Sequence, residues 1–166
     1  MKIAATYSHK GGTELVETEY PEHLAEIRSV IESIRVEIYR TKKSKEKTMP
    51  GQMLYSPVEL NTAFKDKLCA LGWASHRISI DTPEIDPSWR HRGFREIDFL
   101  KRKLGLEVQF GKYAFLVYDI IAKMVIFKKR GLLEAGIEIL PTKNMVGEMS
   151  SGIGYFQQVV ADLYHR

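Results

Sequence analysis

Apolar and polar residues alternate most regularly between positions 104 and 110. The apolar positions are Leu104, Leu106, Val108 and Phe110. A period of two residues is typical of a β-strand with one buried face, so Glu107 and Gln109 are predicted to share the opposite face. Residues 97–99 alternate in the same way, and 101–103 are predicted to form the reversal of an antiparallel hairpin. Folding about this reversal brings Asp98 roughly opposite Leu106 and Glu107.

Longer apolar stripes predict helices elsewhere. From Pro21 to Arg40 the apolar residues recur every three or four positions, which is typical of a long amphipathic helix that packs either on its own sheet or on a partner helix. Ser56 and Pro57 resemble a capped helix start, and that helix is predicted to run to Leu71 and stop at Gly72. Two further helices are predicted at 114–129, with Phe115, Ile120, Met124 and Phe127 mostly inward, and at 153–164.

Short apolar runs predict further strands at 1–7, 73–80 and 135–140. The charged segment from Arg40 to Gln52 and the segment around Pro83 and Pro87 are predicted loops. Strands interleaved with helices favour a mixed α/β fold.

The length of 166 residues is typical of a single domain, predicted here to cover 1–166. The chain has no long apolar run and no secretory signal, so we expect no membrane association and a cytoplasmic location. Its one cysteine, Cys69, cannot form an intramolecular disulfide and is expected to be a buried small side chain.

The net charge of +4 and the pI near 9.1 permit nucleic-acid binding. One basic cluster is opposed only by Glu46 and consists of Arg40, Lys42, Lys43, Lys45 and Lys47. A second comprises Trp89–Arg92 and Arg95. A solvated surface is the default interpretation of such clusters, but beside carboxylates they favour contacts to phosphate.

Asp98 and Glu107 lie nine positions apart, and the polar residue Gln109 follows two positions later. This pattern resembles the PD-(D/E)xK nuclease core, in which two acidic residues hold a divalent cation beside a phosphate. The alternative is a half-buried hairpin whose polar residues meet water.

The segment Glu107–Phe115 resembles the active-site strand of the BglII and BstYI type II restriction endonucleases. Further segments resemble the BstYI branch in the same order, more closely than BglII: Arg40–Thr48, Gly51–Val58, Glu138–Pro141 and Glu148–Ile153. The resemblance implies a restriction-endonuclease-like core, with a central mixed β-sheet flanked by helices.

The resemblance also implies a catalytic set of Asp98, Glu107 and Gln109. Mg2+ would be held by Asp98, by Glu107 directly or through water, and by the backbone carbonyl of Val108. Gln109 replaces the lysine that most nucleases of the superfamily carry. An amide can orient water but brings no positive charge, which leaves Lys112 as the nearest cation of the motif.

The resemblance places Lys112 and Ser151, with Ser150 beside it, at positions that contact DNA bases. Lys112 could instead be a surface charge, and either serine could cap the last helix. The implied partners are a second copy of the chain, forming a two-fold symmetric homodimer, and double-stranded DNA with a palindromic site containing GATC. A functional pairing with a cognate DNA methyltransferase is also implied.

The sequence departs from the family pattern at two places. The segment from Ile80 to Arg95 is shorter than expected, and the sequence ends at Arg166 where the family continues into another strand, which is expected to leave a sheet edge uncovered. A DNA-binding remnant that cuts poorly, and a repair or recombination nuclease, are therefore the two alternatives to an active restriction enzyme.

Overall fold

Two sheets are present in the computed structural model, which describes residues 1–81 and 92–165. Strands β1 (Lys42–Lys43) and β2 (Met53–Leu54) pair as a small antiparallel hairpin. The larger sheet has the order β3-β4-β5-β6, with antiparallel pairs except for the parallel pair β5-β6. Its strands are β3 (Ala74–Asp81), β4 (Arg92–Lys101), β5 (Leu104–Val108) and β6 (Ala135–Ile139). The prediction of a mixed sheet is confirmed.

Helices occupy the segments between the strands. They are α1 (Gly12–Glu19), α2 (Pro21–Ser33), α3 (Pro57–Ala70), α4 (Tyr113–Tyr118), α5 (Met124–Lys129), α6 (Lys143–Val146) and α7 (Phe156–Tyr164). Helices α4 and α5 are joined without a break by a wide π turn, Asp119–Lys123. Within the described residues, no helix is long and apolar enough to cross a membrane.

The predicted hairpin is the centre of the larger sheet. Phe99 pairs with Leu106 and Lys101 pairs with Leu104, so Asp98 and Glu107 each lie one residue beyond a paired position. The reversal uses Arg102 with φ of 54°, a left-handed conformation suited to a tight turn.

Strand β4 departs from simple alternation beside Asp98. Its register against β3 shifts between the pairs Ala74 with Leu100 and His76 with Ile97, so β4 has one more residue than β3 over this stretch. Such a bulge changes the face on which side chains emerge. Ile97 therefore packs with Phe127 whereas Phe99 packs in the other core cluster, although the sequence predicted one face for both.

The main core lies between β5 and the N-terminal helices. It contains Ile27, Ile31 and Ile34, so the stripe predicted at 21–40 packs within its own chain. The helix is shorter than predicted because the backbone at Ile34 becomes extended, with φ of −82° and ψ of 117°, and Val36–Tyr39 form a separate 3-10 turn.

Four further sequence expectations are wrong. The segment 40–52, predicted as a loop, contains strand β1. Residues 1–7 form no regular strand. Cys69 is exposed because α3 buries Leu68 and the next position turns by about 100°. Phe115 is 56% exposed for the same reason, since its neighbour Leu116 is the buried residue. The predicted loop around Pro83 and Pro87 lies outside the described residues.

Candidate active site and nucleic-acid interface

Asp98 is an exposed carboxylate at the bulge of β4. Its Oδ2 accepts a hydrogen bond from the backbone nitrogen of Val108 at 3.4 Å. This contact joins the two strands where β5 ends and places the carboxylate at Val108, the residue whose carbonyl was predicted to be a metal ligand.

Glu107 is almost fully buried, with 1% of its surface exposed. Its Oε1 lies 2.7 Å from Nζ of Lys123 as an ion pair, and neither of its carboxylate oxygens has a hydrogen-bond partner within the described part of the chain. The alternative in which the polar face of β5 simply meets water is therefore wrong for Glu107. A buried carboxylate oxygen without a partner is costly, which favours a ligand-binding role.

The π turn contacts Glu107 of β5 and Gln109, which follows the end of that strand. Lys123 Nζ also lies 2.8 Å from Oδ1 of Asp119, and Oδ2 of Asp119 accepts a hydrogen bond from Nε2 of Gln109 at 3.1 Å. Asp119 and Lys123 are both buried. Wide turns of this kind often occur at functional sites. A continuous chain of contacts thus runs from Glu107 through Lys123 and Asp119 to Gln109.

Glu138 is a further carboxylate beside this chain. It is the partner of Glu107 in the parallel β5-β6 pairing, and both of its carboxylate oxygens are buried without a hydrogen-bond partner in the described residues. Sequence reasoning missed a role for Asp119, Lys123 and Glu138. The pattern that could have found them is the isolated charge: Asp119 and Lys123 are the only charged residues in 113–127, and Glu138 is the only one in 135–140.

The crowding of carboxylates changes their proton affinity. Burial raises the pKa of Glu107 to about 9, with a further rise from Asp98 that Lys123 opposes. Burial and the charges of Asp119 and Glu107 also raise the pKa of Glu138 to about 9. Burial lowers the pKa of Lys123, but Glu107 and Asp119 outweigh it, so the net change is upward.

The donor set fits a hard divalent cation. No group of three or more His, Cys, Asp or Glu side chains among residues 1–81 and 92–165 forms a ready metal cage. Mg2+ does not require one, since it usually takes one or two carboxylates and keeps several waters. The unpartnered Oε2 of Glu107, the exposed carboxylate of Asp98 and the nearby carbonyl of Val108 are oxygen donors of that kind.

The basic hairpin β1-β2 packs against the segment 148–151, the serine segment, which carries Ser150 and Ser151. Lys42 Nζ contacts Oγ of Ser150, and the carboxylate of Glu46 accepts a hydrogen bond from the Ser151 nitrogen at 3.0 Å. Lys43, Lys45 and Lys47 are exposed. The structure therefore brings the predicted basic cluster and the predicted serines onto one surface.

Arg40 differs from the rest of its cluster. Its guanidinium forms an ion pair with Glu148, donates to the Tyr55 hydroxyl at 3.0 Å and lies 4.5 Å from the Tyr55 ring centroid. These contacts tie the hairpin to the body of the protein.

Lys112 lies next to the serine segment. It forms an isolated antiparallel bridge with Ile153, and the Gly154 nitrogen donates to the Gly111 carbonyl at 3.0 Å. The alternative in which Ser150 or Ser151 caps the last helix is wrong, because α7 begins at Phe156 and Tyr155 is its N-cap residue.

The second basic cluster is described only in part. Trp89, Arg90 and His91 lie outside the described residues. Arg92 pairs with Asp81 at 3.1 Å, and the Arg95 guanidinium lies 5.7 Å from the Tyr118 ring centroid.

Comparison with known proteins identifies the family. The profile of the family described as restriction endonuclease BglII/BglIII matches residues 4–166. The chain belongs to this restriction endonuclease family. Membership identifies it as a type II site-specific DNA endonuclease, in a family that generally uses divalent metal ions. No curated protein sequence matches the chain.

Two solved structures share the fold. The crystal structure of restriction endonuclease BglII complexed with a DNA 16-mer matches with a TM-score of 0.73 and 23% identity, over 99% of this chain and 71% of that one. Free BglII matches with a TM-score of 0.57 and 19% identity, over 87% of this chain and 63% of that one. The predicted restriction-endonuclease fold is confirmed, while the closer relation to the BstYI branch stays a prediction.

Proposed function

We propose that this chain is a Mg2+-dependent restriction endonuclease that hydrolyses both strands of double-stranded DNA at a palindromic site containing GATC. The observation that carries the proposal is the hairpin pairing that sets exposed Asp98 beside buried Glu107, whose Oε2 lacks a partner among the described residues. Family membership and the DNA in the BglII crystal structure support the choice of substrate.

In this proposal Asp98, Glu107 and the carbonyl of Val108 hold the cation. When bound, a divalent cation neutralises charge on the phosphate oxygens and lowers the pKa of a nearby water. Asp98 is the exposed ligand, whereas Glu107 is buried and ion-paired with Lys123.

Gln109 then orients the attacking water. Its Nε2 is engaged with Asp119, so Oε1 is the atom available to accept a hydrogen bond from water. Gly111 keeps space for this atom, because a Cβ at position 111 would lie 2.4 Å from Gln109 Oε1.

DNA would lie across the surface formed by the β1-β2 hairpin, the serine segment and Lys112. Exposed Lys42, Lys43, Lys45 and Lys47 would contact phosphates, which fixes orientation without reading sequence. Lys112, Ser150 and Ser151 would read base edges, since an ammonium donates to guanine and a hydroxyl can donate or accept. Arg40 would support this surface, because its guanidinium is paired with Glu148.

A palindromic target matches a two-fold symmetric homodimer, in which each copy cuts one strand. A DNA methyltransferase of the same specificity would protect the host genome in the cytoplasm.

The test is incubation of the protein with unmethylated plasmid DNA containing several GATC sequences, with Mg2+ or with EDTA. Discrete fragments in Mg2+ alone support the proposal, and sequencing of the fragment ends defines the site. Retarded but uncut DNA would favour the binding remnant. Cutting confined to branched or damaged DNA would favour a repair nuclease.

A further inference from the structure

A single buried cationic side chain, that of Lys123, connects Glu107 of β5 with Gln109 just after it. Lys123 Nζ lies 2.7 Å from Glu107 Oε1 and 2.8 Å from Asp119 Oδ1, and Asp119 in turn accepts from Gln109 at 3.1 Å. Its side chain is only 11% exposed. Exposed ion pairs contribute little, but a buried amine with two carboxylates restricts all three groups.

The ion pair with Lys123 leaves Glu107 with unused hydrogen-bonding capacity. The shortest contact of Lys123 is an ion pair with Oε1, and both carboxylate oxygens are without a hydrogen-bond partner in the described residues. An ion pair this short restricts the orientation of the buried carboxylate and leaves its oxygens able to bind a further ligand. Groups that orient a metal ligand from behind typically affect metal affinity strongly, although they do not touch the metal.

We propose that Lys123 is a positioning residue of the cation site, which orients Glu107 directly and Gln109 through Asp119. The inference rests on the proposed metal site. Among the residues that the structure describes, Lys123 is the one positively charged residue in contact with Glu107. The π turn sets the position of Asp119 relative to Lys123, since these two residues are its first and last members.

The test is a titration of Mn2+ with purified protein in the absence of DNA, with free Mn2+ followed by electron paramagnetic resonance. Lys123→Met is expected to weaken Mn2+ binding by about 10- to 100-fold, as for other groups that orient ligands. Lys123→Arg should restore most of the affinity, because it keeps the positive charge that pairs with both carboxylates.

Two other results would contradict the proposed role of Lys123. If Lys123 only repelled the cation, its removal would tighten Mn2+ binding, and if it were only structural, the folded variant would bind Mn2+ as the wild type does. Either outcome overturns the inference. Lys123→Gln carries the same expectation and replaces Lys123→Met if the latter does not fold.

Lys101→Met is the matched control. Lys101 forms a 2.8 Å ion pair with Glu26 and donates to the Leu71 carbonyl at 2.7 Å, so its loss should lower the melting temperature and leave Mn2+ affinity unchanged. Loss of Mn2+ affinity in this control would overturn the inference, because the effect would not be specific to Lys123. If the wild-type protein binds no Mn2+, both the metal site of the proposed function and this inference are wrong. If the wild type binds Mn2+ and Lys123→Met binds it equally well, only the inference is wrong.

Discussion

Glu107 and Glu138 are directly opposite each other in the parallel pairing of β5 and β6, and both carboxylates are buried. Two like charges at this spacing cannot both ionise at low cost in a region shielded from water.

The stability of the metal-free protein should therefore fall as pH rises. The pKa of each of these carboxyls is raised from 4.5 to about 9 in the folded protein, so the folded state holds more protons than the unfolded state between those values. Their contribution is fully present below about pH 4.5 and is lost as pH rises through about 9, with a slope of up to about 1.4 kcal/mol per pH unit for each proton. Chemical denaturation in EDTA at several pH values measures how the free energy of unfolding changes with pH.

Glu138→Gln should reduce this slope and stabilise the metal-free protein at pH 9, because the amide never ionises. Glu32→Gln, at an exposed position of α2, is the control and should leave the slope unchanged. An unaltered slope in Glu138→Gln would show that Glu138 does not hold the extra proton.

Asp98→Asn should abolish cleavage and leave metal-free DNA binding intact or tighter, because the amide loses both a cation ligand and a charge that repels phosphate. Since Asp98 is exposed, the melting temperature should hardly change. Cleavage assays and gel retardation on the same duplex measure the two effects. Asp66→Asn, an exposed change on α3, should retain full activity; near wild-type cutting by Asp98→Asn would refute the assigned site.

Gly111→Ala should lower the cleavage rate through Gln109. A Cβ would lie 2.4 Å from Gln109 Oε1, and the amide cannot move freely because it donates to Asp119. Misplaced reacting groups cost about 100-fold in rate. Single-turnover kinetics at saturating DNA measures the loss, and Gly12→Ala, where the added Cβ would meet its nearest atom at 4.0 Å and the backbone has no positive φ, shows the cost of a glycine change away from the site.

Replacement of Lys43, Lys45 and Lys47 by alanine should weaken binding to specific and non-specific DNA alike and make its salt dependence shallower. The control removes the same charge at Lys128, Lys129 and Arg130, which are exposed at the end of α5. Fluorescence anisotropy at several salt concentrations compares them. Loss confined to cognate DNA would make the hairpin a base reader.

Ser151→Ala should reduce the preference for GATC-containing DNA by about 1 to 3 kcal/mol per contact and leave the melting temperature unchanged. The stability expectation follows from the position of α7, whose N-cap residue is Tyr155. Cleavage of cognate and single-mismatch duplexes beside a melting curve tests it, and an unchanged specificity ratio would exclude Ser151 as a reader.

Local periodicity was sufficient to predict the hairpin, because a strand of alternating residues and a basic turn specify register without reference to the rest of the chain. The partners of Glu107 were not predictable in the same way. Lys123 and Glu138 reach it through a helix and a parallel strand that are distant in sequence, and neither spacing nor charge pattern specifies which face of a helix covers which strand. The bulge beside Asp98 was missed because only the pairing with β3 creates it.

The π turn also determines which kinds of sequence change the candidate active site can tolerate. In a helix each residue advances the side chains by about 100°, so loss or gain of one residue between Asp119 and Lys123 would rotate one of them away from the other. Substitutions on the outer surface of this helix leave that angle unchanged. We therefore expect natural variants to differ freely in composition along 113–129 but to conserve its length, even where sequence identity is otherwise low.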